Sequence, residues 1–154
     1  MQYFNQTFLA AIFLIAIALT SCNQEANNKI TKQQHGNTTS ENLDFMKKLN
    51  GKYPYEVKLL NNSVLKKRLK KMLGSQYDYM KNIWEVQSPI EINNGLFYAW
   101  AMQAHSGGDP SAVLMVDFNK NVLYVGIRKD KQEKIYSEDG SDAPQKIQDW
   151  ANEQ

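Results

Sequence analysis

Apolar and polar residues alternate most regularly in the second half of the chain, where the pattern predicts three neighbouring β-strands. Small and large side chains alternate over residues 96–104, residues 112–118 are nearly all apolar, and alternation returns over residues 122–129. A period of two with β-branched and aromatic enrichment is typical of strands. The polar segment 105–111 separates the first two strands. Its backbone groups have no ladder partners, so we expect an exposed loop.

Upstream of these strands, apolar residues recur at helical spacing. They lie on one face of residues 64–73, with Asn62 or Ser63 as candidate N-cap and Gly74 at the C-cap position. The lysines and Arg68 of this segment are predicted to cover a solvated face. A short helix is predicted over residues 43–49.

The remaining segments complete the predicted fold. Pro54 predicts an extended stretch over residues 53–57, and Ser75 is predicted to start another helix. Pro89 predicts an edge position or a bulge, and Asn94-Gly95 predicts a hairpin turn. A terminal helix is predicted to begin at Pro144 with Asp142 as its cap. Sequential strands joined by tight turns pair antiparallel, so the predicted class is α+β, with about five antiparallel strands covered by helices.

The N-terminus has the pattern of an export signal. Residues 8–19 form an apolar run, too short to span a bilayer comfortably, and Leu19-Thr20-Ser21-Cys22 resembles a bacterial lipobox. We predict a lipoprotein signal peptide over residues 1–21, lipidation of Cys22, a flexible polar tether over residues 22–39 and an α+β domain over residues 40–154. Residues 1–7 carry no Lys or Arg, and a single transmembrane anchor is the alternative.

Charge and cysteine content fit an exported domain. The formal net charge of the 154 residues is +2, and nine Lys or Arg fall within residues 44–74. Such a cluster would suggest nucleic acid in a cytosolic protein, but the export signal argues against that partner. Cys22 is the one cysteine, so its lipidation leaves no thiol for a disulfide. The core must therefore hold the domain together.

The chain contains no recognisable enzyme motif. It has no GxSxG, P-loop or HExxH pattern, and its two histidines are His35, in the predicted tether, and His105. His105, Asp109 and Ser111 crowd one loop and lack the separately supported geometry of a triad. We therefore predict a protein that is not an enzyme and has no cofactor or metal. From composition alone, His105 is a surface loop residue.

The segment Met102-Gln103-Ala104-His105-Ser106-Gly107-Gly108, between two apolar strands, resembles the inhibitor of vertebrate lysozyme (Ivy) family. The resemblance extends over about residues 43–151. In that family a protruding loop carries a histidine between two cysteines and enters the lysozyme cleft, where the histidine bonds catalytic carboxylates. The resemblance implies an inhibitory loop formed by Gln103, Ala104, His105, Ser106, Gly107 and Gly108. Met102 and Gly107 stand where the cysteines would be, so the loop disulfide is absent.

Together these features predict a lipid-anchored protein of the bacterial cell envelope, in the outer membrane facing the periplasm or the surface. The resemblance implies that it binds and inhibits a lysozyme or another peptidoglycan hydrolase. An immunity or binding protein of the same fold directed at a different secreted effector is the alternative.

Overall fold

The computed structural model of the protein describes residues 41–153. The predicted signal peptide, Cys22 and the tether lie outside these residues. The described chain begins with a 3-10 helix, Asp44–Lys48, where the sequence predicted a short helix. Within residues 41–153, no helix is long and apolar enough to cross a membrane.

The extended segment predicted around Pro54 is wrong. The Glu56 N–H donates to the Tyr53 carbonyl at 3.1 Å, which places Pro54 at the second position of a turn. The fixed φ of proline suits that position, so the same residue that argued for an extended chain starts a turn. A second 3-10 helix, Leu59–Asn61, follows.

Two helices come next, as predicted. Helix α1 spans Ser63–Leu73, and the Asn62 side chain accepts hydrogen bonds from the first-turn amides of Val64 and Leu65. Gly74 ends the helix with φ +55, a conformation that favours glycine. Helix α2 spans Gln76–Asn82.

Six strands form one antiparallel sheet. They are β1 (Val86–Gln87), β2 (Glu91–Asn93), β3 (Leu96–Met102), β4 (Ser111–Asp117), β5 (Val122–Lys129) and β6 (Gln132–Ser137). Strands β1 and β2 both pair with the outer side of β3, so the six strands occupy five positions. Gln87 pairs with Ala101 and Glu91 with Tyr98, so three edge residues face two on β3. Pro89 therefore lies at the sheet edge, where one extra residue bulges, and the predicted edge position or bulge is confirmed.

Each face of the sheet is buried against different elements. On one face, alternate residues of β3, β4 and β5 join α1 and α2 in the larger core. The other face packs against helix α3, Gln145–Asn152, through Ile147 and Trp150. This α+β arrangement, with helices covering an antiparallel sheet, confirms the predicted fold class. The cap predicted at Asp142 is wrong, since α3 begins after Pro144 and has no side-chain cap.

Arg68 corrects the prediction of a fully solvated basic face on α1. Its side chain is buried, 7% exposed. The guanidinium donates to the Glu138 carboxylate, to the Glu41 carbonyl at 2.9 Å and to both oxygens of Asn121. Burial is tolerated because the guanidinium donors face acceptors. The neighbouring lysines of α1 are exposed, as predicted.

Candidate functional site

The six residues of the predicted inhibitory loop lie together at one end of the sheet. Residues 103–110 connect β3 to β4, and we call them the His105 loop. Met102 pairs with Ser111 at its base, and the Gln103 N–H donates to the Pro110 carbonyl at 3.2 Å. The sheet therefore fixes the two ends of the loop beside each other. Gln103 and Ala104, which the alternation pattern had included in the strand, belong to the loop.

The outer part of the loop is a turn that exposes the histidine. His105 is exposed and has φ +60, while Gly107 and Gly108 have φ +66 and +101. Left-handed backbone is easiest for glycine and is found in histidine more often than in most residues. The Ser106 N–H donates to the Gln103 carbonyl at 3.3 Å, and the Ser106 hydroxyl accepts from the Gly108 N–H at 3.3 Å.

Two carboxylate hydrogen bonds tie the loop to neighbouring elements. The Glu85 Oε2 atom accepts a hydrogen bond from the Ala104 N–H at 2.8 Å. The Asp109 Oδ2 atom accepts one from the Lys131 N–H, in the β5–β6 turn, at 2.6 Å. The sequence did not predict the role of Glu85, which lies 19 positions from its partner Ala104, and it suggested Asp109 only as a candidate triad member. Asp109 lies 22 positions from its partner Lys131, a separation that no local pattern bridges.

The loop is not arranged as a catalytic triad. The Asp109 carboxylate is directed to the Lys131 amide, and no hydrogen bond in residues 41–153 joins His105, Asp109 and Ser111 to one another. The Ser111 hydroxyl is buried and has no hydrogen-bond partner among these residues. Nor does this part of the chain contain a group of three or more His, Cys, Asp or Glu residues that could hold a metal ion.

A groove of about 360 Å³ lies beside the loop. Its walls are Gly107, Gly108, Asp109, Arg128 and Lys131. The Arg128 guanidinium bonds Glu133 at 2.8 Å and the Trp150 carbonyl at 2.8 Å, and it stacks over the Trp150 ring at 4.9 Å. The C-terminal end of α3 is thereby attached to the sheet next to the loop. Arg128, in the wall of the groove beside the loop, is thus held by contacts to β6 and α3.

The match to a known family covers this region. Residues 64–154, more than half of the chain, match the family described as inhibitor of vertebrate lysozyme (Ivy). The chain belongs to the Ivy family. The match includes α1 from its second residue on, α2, the six strands, the His105 loop and α3. It begins later than the resemblance seen in the sequence, which included the first 3-10 helix.

Comparisons with curated proteins and with solved structures found no match.

The backbone conformation at Gly107 disfavours a cysteine at this position of the loop. A cysteine there would adopt the left-handed φ of +66, which costs an L-residue roughly 1–2 kcal/mol. The two carboxylate hydrogen bonds, together with those within the loop, hold it without a covalent link.

Proposed function

We propose that this protein binds and inhibits a lysozyme or a related peptidoglycan hydrolase by inserting the His105 loop into the active site of that enzyme. Membership of the Ivy family supports the class of partner. The observation that carries the mechanism is an exposed histidine on a turn whose two limbs are fixed to a rigid sheet. Val86, paired with Met102 at the foot of the loop, is 42% exposed and offers apolar contact area beside it.

The chemistry of histidine suits a glycosidase cleft. Such a cleft presents two carboxyl groups, one of which is often protonated as the general acid. A neutral imidazole can donate a hydrogen bond to the ionised carboxylate and accept one from the protonated carboxyl group. A protonated imidazole would form a charge-assisted hydrogen bond with the carboxylate. Histidine is the side chain whose ordinary pKa lies close enough to neutrality for both forms to contribute.

The test is a calorimetric titration of the full-length protein with a vertebrate lysozyme. We expect His105→Ala to weaken binding by about 2 kcal/mol or more, as for a central anchor residue. His105→Asn should weaken it similarly while keeping a residue that tolerates left-handed backbone. Both variants should keep the free energy of unfolding of the parent protein to within about 0.5 kcal/mol, as checked by a melting curve.

Asn94→Ala is the matched control. Asn94 is exposed in the β2–β3 turn, and its φ of +50 is close to that of His105. This turn lies at the other end of β3 from the His105 loop. The control variant should therefore leave the dissociation constant unchanged, and its effect on stability should be similar to that of His105→Ala. An unaltered dissociation constant for both His105 variants would end the proposed mechanism.

A second candidate function keeps the fold and changes the target to a different secreted effector. The observation that favours it is the pair Met102 and Gly107, which leaves the loop without the family's cysteines. The same titration with a panel of envelope hydrolases separates the two. Binding to a non-lysozyme target, lost in His105→Asn, would support the second candidate.

We also propose that the mature protein is a lipoprotein of the bacterial outer membrane, facing the periplasm or the surface, anchored through Cys22. The apolar run over residues 8–19 and the lipobox-like Leu19-Thr20-Ser21-Cys22 support this. Several acyl chains would give stable anchoring. Cys22→Ser should abolish metabolic labelling with a radioactive fatty acid and leave an unprocessed precursor. Unchanged labelling would remove the assignment.

A further inference from the structure

We infer that Glu85 and Asp109 are positioning residues that fix the shape of the His105 loop before a partner arrives. This inference rests on the proposed function, because it concerns the same loop. Along the chain, the two attachments lie on opposite sides of the histidine. The Glu85 carboxylate accepts from the Ala104 N–H of the loop, and the Asp109 carboxylate, which belongs to the loop, accepts from the Lys131 N–H. His105 lies between these two attachments.

Glu85 holds the limb that leaves β3. Its own N–H donates to the Met102 carbonyl at 3.3 Å, and its carboxylate accepts from the Ala104 N–H at 2.8 Å. The backbone of Glu85 is therefore anchored to the end of the strand, and its side chain continues the pairing two residues further. The Ala104 N–H lies beyond the last pair of the β3–β4 ladder, and the Glu85 carboxylate supplies its acceptor.

Asp109 holds the limb that returns to β4. Lys129 and Gln132 are the last paired residues of the β5–β6 hairpin, so Asp130 and Lys131 form a two-residue turn. Both turn residues have positive φ, at +54 and +59. In such a turn the central amides lie beyond the ladder, and the Lys131 N–H is available to the Asp109 carboxylate. The hairpin thus braces the loop from the side opposite to Glu85.

The physical consequence is a lower ordering cost on binding. The hydrogen bonds within the loop itself are long, between 3.2 and 3.5 Å, whereas the two carboxylate bonds are 2.8 and 2.6 Å. Hydrogen bonds to an ionised acceptor are the stronger kind. A loop already held in its bound shape loses less conformational freedom when it enters a cleft.

The experiment combines amide hydrogen exchange on the free full-length protein with titration against a vertebrate lysozyme. In Glu85→Ala, protection of the Ala104 amide should fall, and in Asp109→Ala that of Lys131. Each variant should bind about tenfold more weakly, since a charge-assisted hydrogen bond that orders the loop is lost. Glu85→Gln and Asp109→Asn keep an acceptor oxygen without its charge and should recover part of the protection and affinity.

Asp130→Asn is the matched control, because it removes a negative charge from the same turn while asparagine still tolerates left-handed backbone. It should leave affinity and both amides unchanged. The inference is overturned if the Ala104 and Lys131 amides exchange alike in wild type and alanine variants, or if protection is lost and affinity is unchanged. Exchange is measured without a partner. A wild-type protein that binds no vertebrate lysozyme would therefore count against that lysozyme as the partner, while the exchange data still decide whether the carboxylates order the loop.

Discussion

At the scale of single residues, two buried tyrosines differ in what their hydroxyl groups contact. Tyr77, on α2, is 2% exposed, and its hydroxyl has no hydrogen-bond partner among residues 41–153. Burial, with a smaller contribution from the charge of Asp78, raises the pKa of the Tyr77 phenol. Tyr124, on β5, is fully buried, and its hydroxyl lies 2.8 Å from that of Ser141.

These environments predict opposite effects of the same change. Tyr77→Phe removes an unsatisfied buried hydroxyl and should stabilise the protein by about 1 kcal/mol. Tyr124→Phe breaks a hydrogen bond and should destabilise it by about 1 kcal/mol. Urea unfolding of both variants measures the difference. A destabilised Tyr77→Phe would show that its hydroxyl is satisfied in solution.

At the scale of elements, the packing of α3 on the sheet depends on the absence of a side chain at Gly126. A Cβ atom built there would lie 2.4 Å from the Trp150 ring and 2.7 Å from the Val113 side chain. Real Cβ atoms do not approach other heavy atoms this closely. Gly126 therefore opens the space on β5 that the indole ring of α3 fills.

Gly126→Ala should destabilise the protein by about 1–3 kcal/mol, the usual cost of overpacking a core. Trp150→Ala alone should cost about 3–5 kcal/mol. In the double variant the methyl group no longer meets the ring. The double variant should therefore lose less stability than the sum of the losses of the two single variants. Guanidinium unfolding of all three variants tests this. Fully additive losses of stability would mean that the Trp150 ring does not restrict the size of the side chain at position 126.

At the scale of the whole molecule, one buried arginine joins distant parts of the chain. Arg68 on α1 bonds Glu41 at the start of the described chain, Asn121 in the β4–β5 turn and Glu138 after β6. The Glu138 carboxylate also accepts from the Leu123 N–H at 3.2 Å. These bonds tie the helical layer to the sheet at the end away from the His105 loop.

Arg68→Met should therefore destabilise the domain by roughly 3 kcal/mol, because the partly buried Glu138 carboxylate loses its charged partner, and the Glu41 and Asn121 oxygens lose a donor. Lys67→Met is the matched control. Lys67 lies next to Arg68 on α1, is exposed and pairs with Glu41 at the surface, so its loss should change the stability little. Adding Glu138→Gln to Arg68→Met should recover part of the stability. Equal effects of the two single variants would contradict the role assigned to Arg68.

Sequence alone determined the features that depend on neighbouring residues. Periodicity located α1, α2, α3 and the three long strands, Asn62 and Gly74 marked the ends of α1, and Asn94-Gly95 marked a hairpin. These signals work because local backbone preferences and burial of one face act within a few residues. The short loop with His105 between two strands also sufficed to suggest the Ivy family, which the match over residues 64–154 confirmed.

Only the tertiary structure decided the features that depend on contacts between distant residues. Arg68 reads as one more cation on a basic helix, and its burial follows from acceptors 27 to 70 positions away. Glu85 reads as an ordinary residue before a strand until folding brings its carboxylate to Ala104. Pro54 fits both an extended chain and a turn, and the hydrogen bond from the Glu56 N–H to the Tyr53 carbonyl selects the turn. In each case a polar group finds its partner through the fold, and no local pattern encodes that pairing.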